Sequence, residues 1–209
     1  MPPDPAHDLE TLAGSGGLVA YFGYGSLVNR ATLRTEIVHA VPARLLGWRR
    51  TWRARPDMPG FPAALLTVRP LAGAVCDGLL VFDRAENLAA VDAREMRYRR
   101  IPVPRERLET DAAVPGGCPV FVYEAEPDLP LHPEPPVILR SYLDAVLQGF
   151  LVEHGEDGLM RFLAETDGFD TPIHDDRAAP VYPRAVSLDE AQRLLFERLL
   201  AGRSTAGGG

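Results

Sequence analysis

Leu18-Val19-Ala20-Tyr21-Phe22-Gly23-Tyr24-Gly25-Ser26-Leu27 is an apolar, strand-like run that ends in two glycines spaced one residue apart. Neither glycine carries a Cβ, so the backbone is free to turn sharply there and to approach a ligand closely. Successive N–H groups in such a turn can converge on an anion or a developing oxyanion. Tyr24 and Ser26 add hydroxyls beside them. The pattern predicts a small-molecule site at the end of the first strand; the alternative is a purely structural strand-to-helix turn. Three familiar loops are excluded. A dinucleotide fingerprint needs a third glycine where this chain has Val28, and a P-loop needs a lysine where the chain has none anywhere. A hydrolase elbow needs glycine two residues after the serine, again the place of Val28.

The 209 residues fit one domain. A net charge of −7 argues against a general nucleic-acid binder, which must cover phosphates with a basic face. All 22 basic residues are arginine, which removes Schiff-base and lysine-base chemistry. No apolar run approaches the roughly 18–20 residues that cross a bilayer, so no membrane partner is expected. The opening Met1-Pro2-Pro3-Asp4-Pro5 lacks the basic and apolar regions of a secretory signal, and a cytoplasmic location is expected. Cys76 and Cys118 sit in strand-like runs and read as buried free thiols rather than a disulfide framework.

Residues 1–16 read as a loose arm and 204–209 as a disordered tail, with a single domain over 17–203. Strands are expected at 18–24, about 37–48, 63–69, 75–82, 97–103 and 118–125. A helix is expected to begin at Asn29. Another is expected after Asp83, with Glu86 completing a capping box, and running to about Glu95. Pro127 to Pro136 connects this strand-rich part to helices at about 137–150, 157–165 and 188–200, the last capped by Ser187 and Glu190. The order predicts an α+β fold, a small curved mixed sheet or closed barrel flanked by helices, with a helical extension from about 151.

Glu95 lies four residues after Val91 and seven after Leu88, on the apolar face of its helix. A carboxylate turned toward an apolar site is desolvated and its pKa rises, as suits a general base that must later return its proton. The alternative is a surface glutamate paired with Arg94, Arg97, Arg99 or Arg100. Tyr142 shares a stripe with Ile138, Val146 and Phe150, either as a core residue or with its hydroxyl reaching a substrate. In Gly47 to Arg55, Trp48, Arg50 and Trp52 are expected on one face of a strand, arginine stems covering apolar surface while their heads stay wet. His174-Asp175-Asp176 lacks a partner at ligand spacing, so no metal is expected, and the two aspartates read as loop solvation.

Together these segments resemble the gamma-glutamylcyclotransferase family. Tyr21-Phe22-Gly23-Tyr24-Gly25-Ser26-Leu27 is similar to its substrate loop. Val91 to Glu95, with Tyr98-Arg99-Arg100 behind it, resembles the segment carrying the catalytic glutamate. Ser141-Tyr142-Leu143, with Gly149-Phe150 behind it, resembles the helix supplying a substrate-contacting tyrosine. The order agrees over about residues 19–150. Gly-Tyr-Gly-Ser-Leu is closest to the glutathione-degrading branch, although Val28-Asn29 stands where that branch has Ile-Trp. Asp176-Arg177 and Tyr182-Pro183-Arg184 are expected beside the site.

The resemblance implies a cofactor-free enzyme, monomeric or homodimeric, that cyclises a γ-glutamyl compound to 5-oxoproline and a free amine. The compound is glutathione, a γ-glutamyl amino acid or a γ-glutamyl amine. Glu95 is then the base and acid, and Tyr21, Phe22, Gly23, Tyr24, Gly25, Ser26, Leu27 and Tyr142 bind substrate. A non-catalytic binding or regulatory protein on the same fold and a Ser26 hydrolase are the other readings.

Overall fold

The computed structural model describes residues 5–33, 35–56 and 60–206. The glycine-rich run emerges from strand β1 (Leu18–Gly23), which is buried along its whole length at the centre of the sheet. On one side β1 pairs antiparallel with β3 (Leu65–Arg84), and on the other it pairs parallel with β6 (Val120–Ala125). Beyond β3 come β2 (His39–Arg53) and β5 (Leu108–Thr110); beyond β6 comes β4 (Tyr98–Pro102). A short β8 (Thr166–Asp167) joins β2 in parallel, and β7 (Ile138–Leu139) pairs with β9 (Ile173–His174) separately. The sheet is mixed, curved and open. It does not close into the barrel that was one of the two expected forms.

The β2–β3 ribbon carries the curvature. Its register runs from Arg53↔Leu65 to Trp48↔Pro70, then resumes at Leu46↔Val75, so residues 71–74 stand opposite Gly47 alone. Gly47 has a φ of 80°, a conformation glycine adopts without Cβ strain. The two strands expected at 63–69 and 75–82 are therefore one, bulged where Pro70 and Gly73 gave the signal of a break. Trp52 and Arg50 alternate inward as expected. The Arg50 head does not stay wet, however. It is 1% exposed, lies 4.8 and 4.6 Å from the Phe150 and Phe162 ring centres, and donates to the Asp77 carbonyl.

Helices cover the sheet. Where a loose arm was expected, α1 (Pro5–Gly14) forms instead, because Leu9 and Ala13, one turn apart, bury against the core. Residues 1–4 and 207–209 lie outside the described residues. Asn29 caps only a 3-10 turn, Arg30–Thr32, accepting from the Ala31 N–H, and no α-helix follows. Helix α2 (Leu88–Arg94) ends at Glu95. The two helices expected at 137–150 and 157–165 are the arms of α3 (Arg140–Ala164), broken at Gly155, whose φ is 66°. Helix α4 (Glu190–Ala206) extends past the expected tail boundary at 204 and is capped by Asp189, which accepts from the Gln192 N–H, rather than by Ser187. Phe196 of α4 joins the same hydrophobic cluster as Leu9, Phe22, Phe82 and Phe150. No helix among the described residues is long and apolar enough to cross a membrane.

Asp83 is fully buried and does not serve as the expected capping-box residue. Its two oxygens accept from the Tyr21 and Thr35 hydroxyls, the Arg84 N–H and the Asn87 side-chain amide. It thus ties β1, the 35–38 segment and the start of α2 together. Replacing it with alanine strands those donors, so Asp83→Ala is expected to cost about 3 kcal/mol in urea unfolding, within the range for breaking a buried charged hydrogen-bond network.

Candidate functional site

The loop after β1 turns at two positions where a side chain cannot fit. A Cβ on Gly23 meets Leu27 Cβ at 2.7 Å, and one on Gly25 meets the Tyr142 hydroxyl at 2.8 Å. Gly25 is thus the seat of Tyr142. The Tyr142 ring is fixed edge-on by Trp52, at 5.8 Å, and by Tyr182, at 5.0 Å, while the Ser26 N–H points to its oxygen. The loop is pinned from behind by Tyr24, whose hydroxyl donates to the Tyr123 carbonyl at 2.5 Å. Burial pushes the Tyr24, Tyr98 and Tyr142 hydroxyls well above the ordinary phenol range.

These groups surround the inner end of a cleft. Tyr24, Gly25, Ser26, Leu27, Leu66, Glu95, Tyr98, Tyr123 and Tyr142 line a small inner chamber. It opens into an outer pocket of about 370 Å³ that shares Ser26, Leu66, Glu95, Tyr98 and Tyr142, and adds Phe61, Arg55, Arg97, Tyr182, Pro183 and Arg184. That volume is in the range of small-molecule sites.

Glu95 faces both chambers. Its backbone N–H closes the last turn of α2 on Val91, and its side chain is 15% exposed. Burial raises its pKa, and the charges of Arg94 and Arg184 pull in the opposite direction without cancelling that rise. Arg94 holds it directly: Nε lies 3.0 Å from Glu95 Oε1, while Nη2 donates to Ser26 Oγ and Thr32 Oγ1 and Nη1 to the Thr32 carbonyl. One guanidinium therefore clamps the carboxylate to the loop. The expected inward face and the expected pairing with a neighbouring arginine are both present, in the same residue.

The expected site residues divide. Tyr24, Gly25, Ser26, Leu27, Glu95 and Tyr142 line the chambers together. Tyr21 and Phe22 do not: Tyr21 spends its hydroxyl on Asp83, and Phe22 is fully buried against Gly78. Gly23 shapes the turn without lining it. Tyr182, Pro183 and Arg184 reach the pocket as expected. Asp176 acts one step back and is not loop solvation: it is 5% exposed and accepts from the Ser141 N–H and hydroxyl and from the Val181 N–H, fastening the start of α3 to the segment that carries Tyr182. Sequence reading missed Arg94, Arg97, Arg55, Leu66 and Tyr98 as site residues; nothing in their spacing distinguishes them from other arginines and core residues of the chain.

No family model and no curated protein matches this chain. Among solved structures it is similar to a gamma-glutamyl cyclotransferase, with 15% identity over 87% of this chain and 99% of that one, at a TM-score of 0.49. An uncharacterized protein from Homo sapiens aligns at 17% identity over 87% and 99% of the two chains, also at 0.49. A yeast gamma glutamyl cyclotransferase specific to glutathione aligns at 17% identity over 89% and 96%, at 0.44. At this level of likeness the chemistry rests on the site's own residues.

The raised pKa of Glu95 has a stability consequence. A carboxylate whose folded pKa is raised is tolerated best when protonated, so its contribution is fully present below the unfolded pKa and is lost as pH rises through the folded one. Glu95→Gln does not titrate. Its melting temperature relative to the unsubstituted protein is expected to rise as the pH goes from below the ordinary carboxylate range to well above it. A relative melting temperature that falls over that interval contradicts the desolvated carboxylate.

Proposed function

We propose that this chain cyclises γ-glutamyl compounds, releasing 5-oxoproline and the amine. The observation that carries this reading is the placement of one desolvated carboxylate, Glu95, across a small chamber from a glycine-rich loop and a seated tyrosine hydroxyl. The reaction needs those elements and little else. The nucleophile is the substrate's own α-amine, already at high effective concentration beside its γ-carbonyl once the chain is folded toward a ring.

Glu95 takes a proton from the α-ammonium. The freed lone pair attacks the γ-carbonyl carbon, and the carbonyl π pair moves onto oxygen. The backbone N–H groups of the loop and the Tyr142 O–H stabilise that oxyanion. When the tetrahedral centre collapses, Glu95 returns its proton to the departing nitrogen and the bond to that nitrogen breaks; the carboxylate then relays the second proton of the attacking nitrogen to the freed amine, which leaves as an ammonium while the ring keeps a neutral lactam N–H. Substrate atoms are conserved between 5-oxoproline and the amine, and neither water nor a cofactor enters the balance. Tyr142 is suited to its part because the Ser26 N–H points at its oxygen, leaving its own proton to be donated to the substrate.

A Ser26 hydrolase gains no support from the geometry. Ser26 Oγ accepts from the Arg94 guanidinium, a donor-only group that cannot serve as its base. Ser26→Ala is expected to lower turnover only moderately, and mass spectrometry is expected to find no acyl group on Ser26 in the unsubstituted protein. A trapped acyl-Ser26 overturns the mechanism.

The direct test is 5-oxoproline release from glutathione, γ-glutamylalanine and a γ-glutamyl amine. Glu95→Gln is expected to lose about 10²–10⁴-fold in kcat with little change in KM, because glutamine keeps the shape but cannot accept the ammonium proton. Release from none of the three by the unsubstituted protein favours a non-catalytic binding protein on this fold.

A further inference from the structure

The cleft changes character on its way out. Tyrosines, the loop and Glu95 line the inner chamber, whereas Phe61, Leu65, Met96, Leu139 and Val181 line only the outer pocket. Met96 is 73% exposed, more than any other large apolar side chain among the described residues, and Val181 is 45% exposed. Apolar side chains scattered singly over a surface need no explanation. Two on the rim of one pocket, continuous with further apolar wall, mark a surface that a ligand covers. Phe61 is held in that wall, its ring 4.9 Å from the His174 ring and its carbonyl accepting from the Arg55 guanidinium, so Arg55 is spent on the wall itself. Two other arginines flank the wall, Arg97 next to Met96 and Arg184 three residues after Val181. Neither forms an ion pair among the described residues, and the Nε of each is buried without a hydrogen-bond partner. The charge of Arg184 reaches Glu95, but the Glu95 carboxylate itself is held by Arg94. A desolvated guanidinium donor without an acceptor is costly, and a carboxylate is the group that best completes it.

We propose that the amine half of the substrate is a large apolar amino acid, of the size of leucine or phenylalanine, with its side chain on the Phe61, Met96 and Val181 wall and its carboxylate on Arg97 and Arg184. This rests on the cyclisation reading for its orientation. With the γ-glutamyl head between the loop and Glu95, the departing nitrogen faces outward and the group that it carries enters the outer pocket. Each of two chain segments brings one apolar rim residue and one guanidinium to that pocket, Met96 with Arg97 and Val181 with Arg184. Such a pairing suits a group that offers an anion and an apolar side chain from one carbon, as an amino acid does. Met96 adapts its thioether to an aromatic or a branched side chain. The planar fork of a guanidinium takes a carboxylate through two parallel hydrogen bonds and rewards it over a neutral group. Among the compounds that the reaction can use, a γ-glutamyl amine lacks the carboxylate and glutathione lacks the large apolar group.

Calorimetric affinity and 5-oxoproline release are measured with γ-glutamylphenylalanine, γ-glutamylalanine and γ-glutamylphenethylamine, the last being the phenylalanine compound without its carboxylate. Affinity is expected to fall about tenfold when phenylalanine is replaced by alanine, the apolar contact being lost. It is expected to fall about tenfold when the carboxylate is removed. Arg97→Gln and Arg184→Gln are each expected to shrink the preference for γ-glutamylphenylalanine over γ-glutamylphenethylamine and to leave its preference over γ-glutamylalanine. Met96→Ser, at an exposed position that folding does not depend on, is expected to do the reverse: the preference over γ-glutamylalanine narrows about threefold, and the preference over the phenethylamine compound stays. Two arginine variants from different segments guard against one of them failing to fold, and a general loss of structure does not move the two ratios separately. Equal affinity for the phenylalanine and alanine compounds, equal affinity for the phenylalanine and phenethylamine compounds, or a carboxylate preference that survives both arginine substitutions overturns the proposal. The expected order of affinities without 5-oxoproline from any compound fails the cyclisation reading alone, because the affinities report the outer pocket whether or not the ring closes.

Discussion

Helix α3 touches the loop backbone with nothing in between, and the site depends on that contact. Gly149 sits so close to Asn29 that a Cβ there meets the Asn29 nitrogen at 2.7 Å. Asn29 completes the contact by donating its side-chain amide to the Ala145 carbonyl and to Gln148. Tyr142 lies seven residues before Gly149, two turns along the same helix face. Its hydroxyl then falls on Gly25, the second place where the loop has no Cβ. Two glycines on opposite partners thus set the depth of the helix on the loop. A side chain at either position lifts α3 away and takes Tyr142 with it.

The electrostatic design follows from the composition. With every basic residue an arginine, the protein has only one kind of cation for every role. Arg50 is stacked between two phenylalanine rings and braces the sheet against α3. Arg161 and Arg44 neutralise the buried Asp77. Arg140 and Arg177 bind Asp144 at the start of α3. Arg97 and Arg184 differ from these: neither forms an ion pair among the described residues, and both face the same pocket.

The parts legible in the sequence are those where local geometry leaves little choice. The spacing of Gly23 and Gly25 announced a tight turn after a buried strand, and the four-residue step from Val91 placed Glu95 inward. The parts that were not legible depend on pairing over distance. Pro70 and Gly73 looked like a break because a bulge opposite Gly47 is visible only once β2 lies alongside. Residues 5–14 looked loose because their proline and polar content outweighs two small apolar positions until a core is there to receive Leu9 and Ala13. Tyr21 and Phe22 belonged to the motif, yet strand pleat turns them to Asp83 and to Gly78 rather than to the chamber. The pocket gathers side chains from the loop after β1, the β2–β3 ribbon, α2, α3 and the 181–184 segment, a set no periodicity connects.

In the proposed cyclisation Glu95 has to satisfy two opposed demands. As a base it must be ionised before the amine arrives, and as an acid it must hold the proton until the amine leaves. Burial alone favours the protonated form; Arg94 and Arg184 favour the ionised one, and burial prevails enough to leave the pKa raised. Arg94 also fixes where the carboxylate sits, because the same guanidinium reaches Ser26 and Thr32. Arg94 thus fixes the position of the carboxylate, while its proton affinity is set chiefly by burial. Through that guanidinium the carboxylate is tied to the 26–32 turn and not to α2 alone.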